Sequence, residues 1–158
     1  MKKTILIPTD FCIESLNVLK QALLLDTNKE LTVVLLSGQL LSDSIVDLMF
    51  YSRRKIINSL LKPSFNDAIS ILKNRFTTNL VDVRIELFHG LNKNAFKNFI
   101  SAHKIEECYV AKHYVLKKTG NTLDVIDYIR KCNLPVYEMD WLLTQGTSEF
   151  DQLETLIS

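Results

Sequence analysis

The sequence predicts an α/β fold, a doubly wound parallel sheet with helices on both faces. Three observations predict it. Short apolar runs alternate with stretches of helical apolar spacing along most of the chain. Two of those runs, 4–7 and 31–36, have no polar face, as strands covered on both sides require. The chain of 158 residues, 47% hydrophobic and 23% charged, also has the size and balance of one domain with a real core.

Each element has its own signature. Thr4, Ile5, Leu6 and Ile7 make the first strand, which Pro8 ends. Within 13–25, Leu16, Leu19, Ala22 and Leu23 recur at helical spacing. The second strand, 31–36, closes at Ser37-Gly38. Ile45, Leu48, Met49, Ile56 and Leu60 share a face of a long helical region that Lys62-Pro63 interrupts. Ser64 and Asp67 have the spacing of a cap for the next helix, whose inner stripe is Ala68, Ile69, Leu72 and Phe76.

Val81, Val83, Ile85 and Leu87 alternate with Asp82, Arg84 and Glu86, which predicts a strand with one polar face near a sheet edge. A helix over 92–103 runs through Ala95, Phe96, Phe99 and Ile100. A strand follows at 108–111, then a helix over 123–132 through Val125, Ile126 and Ile129. Leu134-Pro135-Val136-Tyr137 opens the last strand. The domain spans 1–140. In the tail, 141–158, Ser148 and Asp151 have cap spacing for a short amphipathic helix carrying Phe150, Leu153, Leu156 and Ile157. A helix of about ten residues is marginal alone in water. Its partner is its own domain, a second subunit or another protein, with Trp141, Leu142 and Leu143 as further anchors.

Charge and composition exclude several classes. A formal net charge of +1 argues against broad binding of nucleic acid or of an anionic membrane. No segment has the apolar length of a membrane span, and the apolar run after Lys2-Lys3 stops at Pro8, too soon for a signal peptide. Cys12, Cys108 and Cys132 are odd in number and lack Cys-x-x-Cys spacing, so a disulfide framework and a structural zinc site are not indicated and a reducing cytoplasm is expected. No nucleophile elbow, paired acid–base motif or Walker loop occurs. A phosphoacceptor receiver domain is excluded too, because Phe88-His89-Gly90 ends the third strand without an aspartate.

A doubly wound sheet binds ligands at the carboxyl ends of its strands, where the strand order reverses. That points to Pro8, Thr9 and Asp10 after strand one, and to Ala111 through Thr122 after strand four. Asp10 can accept a ribose hydroxyl or cap the following helix. Lys112, Lys117 and Lys118 crowd one loop and can capture an anion with the helix start at Thr122, or form a solvated loop. Lys112 is expected in the crevice, whereas Arg130-Lys131 complement a helix C-terminus and Arg53-Arg54-Lys55 form a solvated face. His89, His103 and His113 lack metal-ligand spacing. Cys12 lies near a helix start, which would lower its pKa, or is simply a small residue filling its place.

The opening Ile5-Leu6-Ile7-Pro8-Thr9-Asp10-Phe11, the close Asn133-Leu134-Pro135-Val136-Tyr137, and Gly90 before a helix resemble the universal stress protein family over 2–139. The resemblance implies five strands in the order 3-2-1-4-5, a homodimer and, in some members, ATP at the switch point. ATP-binding members carry a glycine-rich loop after strand four. Lys112 occupies the place of its first glycine and Val115 that of its second, while Gly120, Asn121 and Thr122 keep its final element. Lysine and valine cannot form the same close backbone nest for phosphates. The resemblance thus implies a non-enzymatic stress or signalling module with a lost or altered ATP site. It holds an adenine nucleotide or another anion through Asp10, Lys112 and Thr122, or is a ligand-free structural dimer or a protein-interaction dimer with an unknown partner.

Overall fold

A computed structural model of the chain describes residues 2–25, 27–40, 53–90, 92–118, 122–142 and 149–157. Five strands, β1 (Lys2–Pro8), β2 (Glu30–Gly38), β3 (Leu80–Phe88), β4 (Glu107–Ala111) and β5 (Val136–Met139), form one sheet. Its order is β3-β2-β1-β4-β5, and every pairing is parallel. The chain therefore winds outward from β1 in both directions.

Side chains alternate between the two faces of a strand, so one run of sequence feeds two cores. Ile5, Ile7, Val33, Leu35 and Tyr109 enter the first core. A 3-10 turn (Ile13–Leu16) leading into α1 (Asn17–Leu25) covers that side together with α3 (Pro63–Arg75). Leu6, Val34, Leu36, Cys108 and Val110 enter the second core, beneath α4 (Lys93–Ala102) and α5 (Ile126–Lys131). Burying each of these aliphatic side chains contributes about 1.5–3 kcal/mol. In the second core Phe88 meets Phe96 edge-on at 5.2 Å and Tyr128 at 5.1 Å.

Three details depart from the sequence reading. The helix at Pro63 starts with its proline at the first helical position and Lys62 as N-cap, without a side-chain cap, so Ser64 lies inside the first turn. Proline needs no partner for a missing N–H there, which makes the serine cap unnecessary. On β3, an edge strand as predicted, Glu86 is 8% exposed although Val81 is 54% exposed. Arg53, at the start of α2 (Arg53–Leu60), pairs with the Glu86 carboxylate, so the basic trio does not simply face solvent. The expectations for Ile45, Leu48 and Met49 lie outside the described residues.

The tail helix, α6 (Glu149–Ile157), packs on its own domain: Leu156 is fully buried in the first core and Leu153 lies against it. Two cations hold its last turn. Lys20 Nζ donates to the Thr155 carbonyl at 3.0 Å, and Arg75 Nη1 donates to the Ile157 carbonyl at 2.9 Å. The last-turn carbonyls of a helix generally lack an N–H partner one turn further on, so cations satisfy them well. Burial, reinforced by Arg75, lowers the Lys20 pKa. Ser148 and the side chains of Phe150 and Asp151 lie outside the description. Among the described residues no helix is long and apolar enough to cross a membrane.

A candidate site at the switch point of the sheet

The strand order reverses at β1, and the chain turns sharply there. Thr9 N–H donates to the Leu36 carbonyl at 2.8 Å, joining the turn to β2. The Thr9 hydroxyl lies 2.9 Å from the Ser15 hydroxyl and accepts from Phe11 N–H at 3.1 Å. Phe11 adopts φ 61°, a left-handed conformation uncommon for a residue with a side chain. Its ring, packed 5.7 Å from that of Phe65, anchors the strained position.

This turn aims Asp10 at the loop after β4. Asp10 Oδ1 accepts from Cys12 N–H at 3.0 Å, the local cap that Asx chemistry provides. Oδ2 accepts from Tyr114 Oη at 2.6 Å and from Lys117 N–H at 2.9 Å. Both carboxylate oxygens are thus engaged by the protein itself. Burial, with the bond to Asp10, pushes the Tyr114 phenol well above its ordinary range, so it stays a donor. Trp141 closes the far side, its ring 6.0 Å from Tyr114 and its Nε1 donating to Glu14 Oε1 at 3.4 Å.

The other end of the loop is clamped as well. Leu123 N–H donates to the Gly38 carbonyl at 2.9 Å, and Gln39 and Thr122 form an antiparallel bridge. A Cβ at Gly38 would lie 2.1 Å from the Leu123 carbonyl oxygen, so only glycine lets the two backbones approach. Between these fastenings remains a cleft of about 50 Å³, bordered by Thr9, Asp10, Gln39, Lys117, Lys118 and Thr122. It has room for a few waters or a small oxyanion. Nucleotide-sized ligands occupy pockets of roughly 300–1,000 Å³.

Among the residues singled out from sequence, Thr9, Asp10 and Thr122 border the cleft. Pro8 and Ala111 instead face Tyr114 and Leu116 across a gap with no space for a water molecule. Lys112, expected in the crevice, is exposed and lies outside its lining. The sheet pairing continues one residue beyond β4 through Lys112 N–H to the Met139 carbonyl at 2.8 Å, while Lys117 and Lys118 take the place at the cleft. Lys118 also pairs with Asp124 at 3.6 Å. Gly120 and Asn121 lie outside the described residues.

Cys12 corrects another expectation: burial and the nearby Asp10 raise its pKa. His113 meets Asp140 at 3.1 Å, a bond that lowers the Asp140 pKa, whereas His89 Nδ1 lies 2.8 Å from the Gln39 carbonyl. Tyr114 lay inside the 111–122 stretch without being singled out, and Gly38, Leu123 and Trp141 were read as a strand end, a helix start and a tail anchor, not as parts of the site. Tyr114 left one signal, as the aromatic residue in an otherwise basic and aliphatic loop.

No family model and no curated protein sequence matches the chain. Solved structures do. Universal stress protein UspA from Lactobacillus plantarum is 13% identical, with a TM-score of 0.55 over 87% of this chain and 97% of that one. The hypothetical protein MJ0577 is 19% identical, with a TM-score of 0.54 over 90% and 98% of the two chains. A protein of the universal stress protein family from Burkholderia pseudomallei is 13% identical, with a TM-score of 0.51 over 87% and 95%. The chain has the universal stress protein fold.

Proposed function

We propose that the chain is a divergent, non-enzymatic universal stress protein that acts as a cytoplasmic stress or signalling dimer with its nucleotide crevice closed by its own loop. The observation that carries this reading is the double engagement of Asp10 Oδ2 by Tyr114 and Lys117. A nucleotide's ribose would have to displace both donors and open a cleft of about 50 Å³. Calorimetric titration with ATP, AMP and inorganic phosphate tests it: nucleotide binding is absent or weaker than millimolar, whereas micromolar ATP binding overturns the reading.

The second reading is capture of a small oxyanion, favoured by Lys117 and Lys118 at the cleft. Phosphate heat without nucleotide heat in the same titration supports it. Assembly uses the β5 edge, whose backbone groups are open to a second strand. Tyr137 is 40% exposed there and stacks 5.2 Å from Tyr109, which offers an apolar start for twofold pairing.

A further inference from the structure

On the second-core side of the sheet, helices α4 and α5 leave a cavity between them. Its volume is about 140 Å³, against about 50 Å³ for the switch-point cleft. Lys93, Phe96 and Lys97 line it from α4, and Tyr128, Lys131 and Asn133 line it from α5 and the residues just after. The rings of Phe96 and Tyr128 stack 5.7 Å apart and join the two helices, and Phe96 is buried. Three ammonium groups thus share one concavity. Among the described residues that line it, none is acidic.

Charge placed this way calls for a counterion. Lys93 and Lys97 stand one turn apart on one helix, where like charges repel and cost stability. Neither forms an ion pair among the described residues. Lys131 meets Asp127 at 3.0 Å, but both side chains are more than half exposed, and an exposed pair of this kind contributes little. The Ile129 carbonyl, in the last turn of α5, already accepts from Cys132 N–H at 3.2 Å and from Cys132 Sγ at 2.9 Å. It is therefore not left open to the ammonium groups.

We propose that this cavity binds a small phosphate-class oxyanion, inorganic phosphate or pyrophosphate, through Lys93, Lys97 and Lys131, with the Asn133 side-chain amide as a further donor. Size and donor type both select that class. The space holds several waters, as a phosphate group requires, and falls below the roughly 300–1,000 Å³ of drug-sized ligands. Lysine binds phosphate as a point charge, whereas planar carboxylates favour the two-pronged guanidinium of arginine. Among the described residues no arginine lines the cavity. The site shares no residue with the cleft beside Lys117 and Lys118, so this inference is independent of the function proposed above.

Calorimetric titration of the folded full-length protein with phosphate and pyrophosphate in low-salt buffer, with backbone amide shifts followed by NMR, tests it. Pyrophosphate binds with a dissociation constant of about 1 mM or tighter and phosphate more weakly. The shifts centre on the two stretches that line the cavity, around Lys93 to Lys97 and Lys131 to Asn133. Lys93→Gln with Lys97→Gln removes two of the cations and weakens binding roughly tenfold or more. Lys2→Gln with Lys73→Gln lowers the net charge equally elsewhere on the surface and changes binding by less than about twofold. Lys117→Gln with Lys118→Gln does no more than that control. Absence of binding at about 10 mM pyrophosphate, or equal weakening by the Lys2 and Lys73 changes, overturns the site. Weakening confined to the Lys117 and Lys118 pair puts the anion at the switch-point cleft and overturns it too. Malonate binding as tightly as pyrophosphate overturns the choice of oxyanion.

Discussion

Asp10 ties the turn after β1 to the loop after β4. From sequence it had two readings, a helix-entry cap and a ligand acceptor, and its two oxygens divide between cap and loop. The cap was legible because Cys12 is two positions away. The loop partners were not, because Tyr114 is 104 positions away and no local rule brings a phenol to that carboxylate. Removing the phenol oxygen tests the contact. Tyr114→Phe is expected to lower stability by about 1.5–3 kcal/mol, the range for a hydrogen bond to a charged group, and to speed tryptic cleavage at Lys117 and Lys118. Urea denaturation and a timed digest measure both.

A second pair at the same scale sets a pH dependence. Lys3 Nζ lies 2.7 Å from Glu107 Oε1, and Tyr109 Oη donates to Glu107 Oε2 at 2.9 Å. Burial alone would raise the Glu107 pKa, but the bonds from Lys3 and Tyr109 outweigh it and hold the carboxyl below its ordinary value. The bond to Glu107 raises the Lys3 pKa. The carboxylate's stabilisation is therefore fully present above its unfolded value of about 4.3 and is lost as pH falls through the lower folded value. The lysine's is present below about 10.4 and is lost as pH rises through its raised value. Glu107→Gln should cost about 1–2 kcal/mol at neutral pH, between the limits for exposed and buried pairs. That difference should shrink in urea melts as the pH falls below about 4.3 and through the lowered folded value.

Elements were legible where periodicity and caps agreed. Helix α4 runs Lys93–Ala102 with Asn92 as N-cap, its side chain accepting from Ala95 N–H at 2.9 Å, and His103 as C-cap. Strands β1 and β2 were legible because two-sided burial leaves no polar alternation, and the edge strand β3 because one polar face does. Helix α5 is shorter than its apolar spacing implied, Ile126–Lys131, because Thr122 and Leu123 are drawn into backbone bonds with β2 before it begins. The tail helix was legible as amphipathic, but its seat depends on Lys20 and Arg75, distant cations that only the fold brings to its last carbonyls. Leu156→Ala is expected to cost about 2–5 kcal/mol in chemical denaturation, as for a fully buried leucine. Truncation after Asp140 should lower the melting temperature for the same reason.

At the scale of the whole molecule, the order β3-β2-β1-β4-β5 leaves β3 and β5 as edges. Arg53 on α2 reaches Glu86 on β3. On β5, Tyr137 and Glu138 are exposed, and Arg130 meets Glu138 at 3.1 Å. An antiparallel twofold centred near Val136 keeps the Glu138 carboxylates apart, and like charges directly opposite would weaken the pairing. If the protein pairs through β5 as proposed, Tyr137→Lys should shift it from dimer to monomer in light scattering with little loss of monomer stability. A monomeric wild-type protein at high concentration would remove the dimer from the proposed function.

The bonds that close the switch-point loop also act as tethered competitors. Tyr114 Oη and Lys117 N–H are attached to the chain that carries Asp10, so any ligand in free solution meets them at a high effective concentration. Displacing two hydrogen bonds to a carboxylate costs about 3–6 kcal/mol, which leaves the open form at roughly one molecule in a hundred to one in ten thousand. Apparent affinity falls by the same factor, so a crevice that bound a nucleotide at about 10 micromolar when open would read as roughly 1–100 mM in the intact protein. A change that untied the loop would then reveal an affinity already present in the strands beneath it.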